Sequence, residues 1–216
     1  MKMEDGERKR YEQRFKDHGV SHVALQYSTE FRQQLMFDAV LRAWQGVNVR
    51  SILDVGCGFG DFLPYARGRL REMTRYVGVD LAQSFVNHAK VRFAEWDSVE
   101  FSCETITGDK CYTMEFDAAV AIATFTVKAE DTMKVLTEAM FNMLDAANKV
   151  VTVTLLTKSE PREEDFVMNI RQLAEWAETF GVERITIDRA TLPYVAVVSW
   201  YKDWHHAEKA LGSAAD

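Results

Sequence analysis

The chain has 216 residues, 47% hydrophobic, 12% aromatic and 27% charged, a globular balance that excludes wholesale disorder and fibrous repeats. Its formal net charge of −7 disfavours nucleic acid as a partner, because phosphate binders carry a positive face. Three cysteines, Cys57, Cys103 and Cys111, occur without a C-x-x-C pair, which argues against a disulfide scaffold or a structural zinc site, and no metal is expected.

The opening residues, MKMEDGERKRYEQRFK, mix both charges without an apolar core, unlike a signal peptide. No run reaches the roughly 20 apolar residues of a membrane span. A cytoplasmic protein without membrane contact is expected. Residues 7–17 read as a charged helix. Over 29–45, Phe31, Leu35, Phe37, Val40, Leu41 and Trp44 recur at three- and four-residue steps, the mark of an amphipathic helix, with Ser28 or Thr29 as its cap. Ser51–Cys57 is a short apolar run ending in glycines. A helix over 61–72 follows, with Asp61 as N-cap.

Arg75–Asp80 reads as a second strand, Ala82–Phe93 as a helix, Val99–Ile106 and Phe116–Ala123 as strands. Then come a helix over Asp131–Leu144, a strand over Lys149–Leu156 and a helix over Glu163–Phe180. Alternation of this kind gives parallel strands with helices on both faces. Val182–Asp188 and Tyr194–Tyr201 are both strand-like, with only Arg189–Pro193 between them. A parallel crossover needs about a dozen residues, so these two pair antiparallel. The expected fold is α/β and doubly wound: a seven-stranded, mostly parallel sheet with one antiparallel strand near the edge. With few prolines and no linker, a single domain over 1–216 is expected: a helical cap at 1–46, a core at 50–201 and a tail at 202–216.

Asp54-Val-Gly56-Cys57-Gly58-Phe59-Gly60-Asp61 lies between a strand and a helix, where glycines let the backbone turn sharply and a ligand approach closely. A dinucleotide fingerprint needs a glycine at position 61, and Asp61 there would repel a pyrophosphate. Asp80 ends the second strand, placed to accept hydrogen bonds from ribose hydroxyls. The loop therefore predicts an adenosine-type ligand without a diphosphate, and S-adenosylmethionine fits.

These residues resemble the class I S-adenosylmethionine-dependent methyltransferases: ILDVGCGFGD at 52–61 resembles their first motif and YVGVDLAQSFVNHAK at 76–90 their second. The resemblance implies their Rossmann-like methyltransferase fold, S-adenosylmethionine as cofactor and S-adenosylhomocysteine as product. It implies Asp54 at the amino-acid end of the cofactor and Gly56, Cys57 and Gly58 along it. Asp80 would hold the ribose, and Leu81 would pack on the adenine. Glu104 or Thr105 stands where many members carry an adenine-binding Asp, and Ala123 with Thr124 and Phe125 should sit where donor and acceptor meet. A weaker likeness at the N-terminus, Tyr11-x-x-Arg14…His18-Gly19…Gln33-x-x-Met36-Phe37, is to small bacterial members whose N-terminal helices cover the cofactor. It adds Tyr11 and Arg14 to the expected cofactor site.

Methyl transfer from a sulfonium is an in-line displacement that rests on proximity and exclusion of water, and a base is needed only where the nucleophile must lose a proton. Candidates for that base are His18, His22 and Tyr27. Tyr27, Phe125 and Tyr194, with Phe15, are candidates for an aromatic acceptor pocket. Asp203-Trp204-His205-His206 reads as a solvated tail, because adjacent imidazoles diverge and no third ligand is evident. The leading expectation is methyl transfer to an O, N or C nucleophile of a small-molecule acceptor by a monomer or homodimer. The alternatives are a non-catalytic S-adenosylmethionine-binding partner or regulatory module, and a methyltransferase acting on RNA or protein.

Overall fold

A computed structural model describes residues 2–107, 115–128, 131–157 and 162–202, with side chains from residue 5 onward. Cys111 and the Asp203–His206 stretch lie outside the described residues. The elements run α1 (Lys2–His18), α2 (Glu30–Ala43), β1 (Ser51–Val55), α3 (Phe62–Arg67), β2 (Arg75–Asp80), α4 (Gln83–Arg92) and β3 (Val99–Cys103). They continue with β4 (Phe116–Ala121), α5 (Thr132–Ala146), β5 (Ala147–Leu156), α6 (Ile170–Glu178), β6 (Arg184–Asp188) and β7 (Val195–Tyr201).

The seven strands form one sheet in the order β3-β2-β1-β4-β5-β7-β6. All pairs from β3 to β5 are parallel, and β7 runs antiparallel to both β5 and β6. The reversed strand thus lies next to the edge, as the short Arg189–Pro193 connection requires. Alternate residues of one strand feed opposite faces. Ile52, Tyr76, Ala118 and Val150 pack with Phe37, Val40, Leu63 and Val86 of α2, α3 and α4. Their neighbours Leu53, Val77, Ala119 and Val151 pack with Leu136, Met140, Leu173 and Trp176 of α5 and α6.

Two local expectations are corrected. Residues 163–169 do not begin a helix: after a turn at 163–164 the chain bridges to its neighbours, with Phe166 donating to the Thr126 carbonyl at 2.9 Å and Met168 to that of Leu156 at 3.1 Å. The α6 helix starts only where Asn169 and Gln172 form a reciprocal capping box, which satisfies backbone donors that a helix start leaves unpaired. Asp61 makes no side-chain cap for α3. Its carboxylate is taken by Arg92 at 2.5 Å and Gln33 at 3.1 Å. At the start of α2, by contrast, the Thr29 hydroxyl accepts the Arg32 amide.

Candidate active site

Chain order reverses between β1 and β4, which sit side by side in the middle of the sheet. Open α/β sheets bind ligands beyond the C-terminal ends of their strands at such a switch point. Here a cavity opens at that place, walled by the ends of β1, β2 and β4, by α1 and by the segment before α2.

The glycine loop forms its floor. Gly56 and Gly58 have φ of 74° and 55°, a region that L side chains avoid. A Cβ at Gly56 would stand 2.5 Å from the Thr124 side chain, and one at Gly58 would stand 2.7 Å from Leu25. Thr124 is itself fixed, its hydroxyl donating to the Val55 carbonyl at 2.8 Å. Ala123 is held at φ 57°, with its N–H donating to Thr154 Oγ1 at 2.7 Å. A non-glycine residue kept in that region at a strand end marks a position the surroundings over-determine.

Asp80 accepts N–H groups from Gly58 and Ala82, each at 2.9 Å. Burial nevertheless pushes its carboxyl up from the usual range, against those backbone donors. Asp54 is 3% exposed, and Tyr76 of β2 donates to it. Burial, with smaller contributions from Asp80 and Asp61, raises Asp54 to about 7 despite that hydrogen bond. Five carboxylates, of Glu7, Asp54, Asp61, Asp80 and Glu104, line the cavity, and among its described residues there is no Lys, Arg or His. The remaining wall is mostly apolar or aromatic, including Phe37, Ile122 and Phe125.

The cavity brings together Tyr11, Asp54, Gly56, Cys57, Gly58, Asp80, Leu81, Glu104, Thr105 and Ala123 of the expected cofactor site, with Tyr27 and Phe125 of the expected acceptor site. Five expected residues lie outside its lining. Arg14 turns away to donate to the carbonyls of Val23 and Ala24. His18 is exposed where α1 ends. His22 stands 3.8 Å from Glu30. Tyr194 is 59% exposed at the start of β7. Phe15 also packs elsewhere, against Phe59 and Phe85. The one base candidate in the wall, Tyr27, has its phenol pushed well up by burial first and Asp54 second, so at neutral pH it is a donor and not a base.

Sequence reasoning missed Glu7, Leu25 and Gln33 in the wall. Gln33 carries a signal that was available: a polar residue on the apolar stripe of α2, 7% exposed and bonded to Asp61. The loop from Gly19 to Thr29 folds back so that Leu25 and Tyr27 face the cavity, which no local pattern announces.

Residues 52–146 match a family model described as a methyltransferase domain. No curated protein matches the chain by sequence. Among solved structures, the methyltransferase domain of bacterial CtHen1 is similar with a TM-score of 0.62 at 17% identity, over 78% of this chain and 98% of that one. Magnesium protoporphyrin IX methyltransferase from Synechocystis PCC 6803, solved with bound SAH, gives a TM-score of 0.62 at 13% identity, over 90% of this chain and 94% of that one. A SAM-dependent methyltransferase from Aquifex aeolicus gives 0.57 at 18%, over 76% and 88%. At these identities the likeness establishes the fold.

Proposed function

We propose, from the match of residues 52–146 to a methyltransferase-domain model and the methyltransferase fold shared with the solved structures, that the protein transfers a methyl group from S-adenosylmethionine to a small-molecule acceptor. The carrying observation is the buried carboxyl of Asp54 in a cavity that offers no cationic side chain among its described residues. A buried carboxyl whose hydrogen-bond donor is a phenol calls for a cation from the ligand. The donor set fits this cofactor: an ammonium and a sulfonium suit acidic walls, and a ribose diol suits Asp80 at the end of β2. The bare backbone of Gly58 is a cradle that any Cβ would narrow toward Leu25.

When bound, S-adenosylmethionine supplies a methyl group already activated on a cationic sulfur and leaves as S-adenosylhomocysteine. The chain's own part is to bind, orient and exclude water. Asp54 takes the ammonium and Asp80 the ribose hydroxyls, with Leu81 against the adenine. Glu104 or Thr105 would accept a hydrogen bond from the exocyclic amino group. Tyr27 and Phe125 hold the acceptor, and the protonated Tyr27 phenol donates a hydrogen bond. Such positioning is worth several kcal/mol of the barrier. Because Tyr27 stays protonated, the acceptor brings its own nucleophilicity, as an amine, a stabilised carbanion or an oxygen anion.

The apolar, aromatic wall of the cavity supports a small acceptor, and the free thiols Cys57 and Cys103 support a cytoplasmic setting. The test is release of S-adenosylhomocysteine on incubation with the donor and a panel of small amines, phenols and activated carbon acids. Turnover with a member of the panel is expected. Turnover with RNA or protein alone would replace the acceptor class, and donor binding without turnover on any acceptor would favour a non-catalytic module.

A further inference from the structure

Tyr76 does not line the cavity. It is fully buried on β2, in the layer beneath. In the register of β1 and β2, Ile52 pairs with Tyr76 and Asp54 with Gly78. Since alternate residues share a face, Tyr76, Gly78, Ile52 and Asp54 point to the same side. Gly78 lets the Cys57 sulfur and the Phe101 ring close over the strand: a Cβ there would stand 2.8 Å from the first and 2.7 Å from the second. From that shared face the Tyr76 phenol donates to Asp54 Oδ2, its hydrogen-bond donor among the described residues.

The groups that face Asp54 are acidic or neutral. Tyr76 and Asp80 come from β2, Cys57 and Asp61 from the glycine loop and Tyr27 from the segment before α2. On the β4 side the pairing partner is Val120. With no cation beside it, this carboxyl keeps its proton into the neutral range until a cation enters.

We propose that Tyr76 is a positioning residue for cofactor capture: it fixes the Asp54 carboxyl toward the cavity, and the pair expels a proton when the ammonium of the donor arrives. This rests on the reading that Asp54 meets that ammonium. Protein and ligand exchange a proton for a cation, so capture is driven by rising pH across the range where Asp54 titrates. The phenol favours the ionised carboxylate, and so sets the pH at which capture becomes tight.

The experiment is calorimetric titration of S-adenosylmethionine into the full chain, in buffers of differing ionisation enthalpy, between about pH 5.5 and 7.5. This range stays below the roughly 7.7–8.0 at which an α-amino group itself titrates. The wild type is expected to release close to one proton per cofactor at the acid end, falling to about one half near neutrality. Tyr76→Phe, which keeps the ring but loses the donor, should hold its proton about one pH unit longer. At neutral pH it should then bind several-fold to tenfold more weakly. Its deficit should shrink as pH rises, whereas a purely structural defect would weaken binding equally at every pH. Equal proton counts and equal pH profiles for the two proteins would overturn the proposal, as would a wild type that releases no proton at the acid end. If Tyr76→Phe fails to fold, the wild-type proton count still decides. Asp54→Asn separates the premise: unchanged affinity there would remove Asp54 from the cofactor site altogether, whatever Tyr76 does.

Discussion

The carboxylate of Asp80, at the end of β2, accepts the backbone N–H of Gly58 at 2.9 Å. One side chain thus braces the glycine loop and, on the proposed function, also receives the ribose. Asp80→Ala should weaken S-adenosylmethionine binding by about 1–3 kcal/mol, through a lost charged acceptor and an unpaired loop amide. Calorimetry of the purified variant checks this, and an unchanged affinity would move the ribose elsewhere.

Gly56 tolerates no side chain. At φ 74°, with a Cβ meeting Thr124 at 2.5 Å, Gly56→Ala combines backbone strain with a clash. A loss of about 1–3 kcal/mol in stability is expected, with a larger fractional loss of cofactor affinity because the loop itself is displaced. Urea denaturation and donor titration of the same preparation separate the two.

The α6 helix depends on its cap. Asn169 accepts the amides of Arg171 and Gln172 at 3.1 and 3.0 Å. Asn169→Ala should cost about 0.5–2 kcal/mol without altering donor affinity, since α6 packs on the sheet face with Leu136 and Trp200. Denaturant midpoints with and without cofactor test both halves.

Asp54 also makes stability depend on pH. Its folded value, about 7, lies above the ordinary 3.8, so between these limits the folded chain binds the extra proton. Its contribution is fully present below about pH 4 and is lost as pH rises through 7, at a slope approaching 1.4 kcal/mol per pH unit, on the order of one proton's linkage. Asp54→Asn lacks that slope. In the absence of cofactor it should therefore gain on the wild type from pH 5 to 7 and hold a constant advantage above that. Urea midpoints measured across this range would expose a parallel course as a contradiction.

The sheet was legible because each strand end carries a chemical signature. Arg75–Asp80 has the same limits in sequence and structure, and the five residues between Asp188 and Tyr194 forced an antiparallel return. The glycine loop and Asp80 were legible for the same reason: a turn between strand and helix admits few residue types. The cap was not. Its contributions come from a segment whose path is set by tertiary hydrogen bonds, such as Gln26 to the Tyr11 phenol at 3.1 Å. Helical spacing cannot tell that Tyr27 enters the wall while His18 and His22 stay out. Tyr76 was invisible for a different reason. Its role needs the interstrand register that sets it on the same face as Asp54, which is not a property of the strand alone.

On the outer side of the cavity, the Glu12 carboxylate of α1 accepts the Ser84 amide at 3.0 Å, supplying from a distant segment the cap that Ala82 cannot give α4. The region that matches the methyltransferase model, 52–146, contains neither Glu12 nor β5, whose pairing covers the apolar flank of β4. Excised as a fragment for crystallisation or directed evolution, that region would expose an open, sticky strand and fray one helix. The smallest portable piece of this fold is accordingly wider than its recognisable signature at both ends.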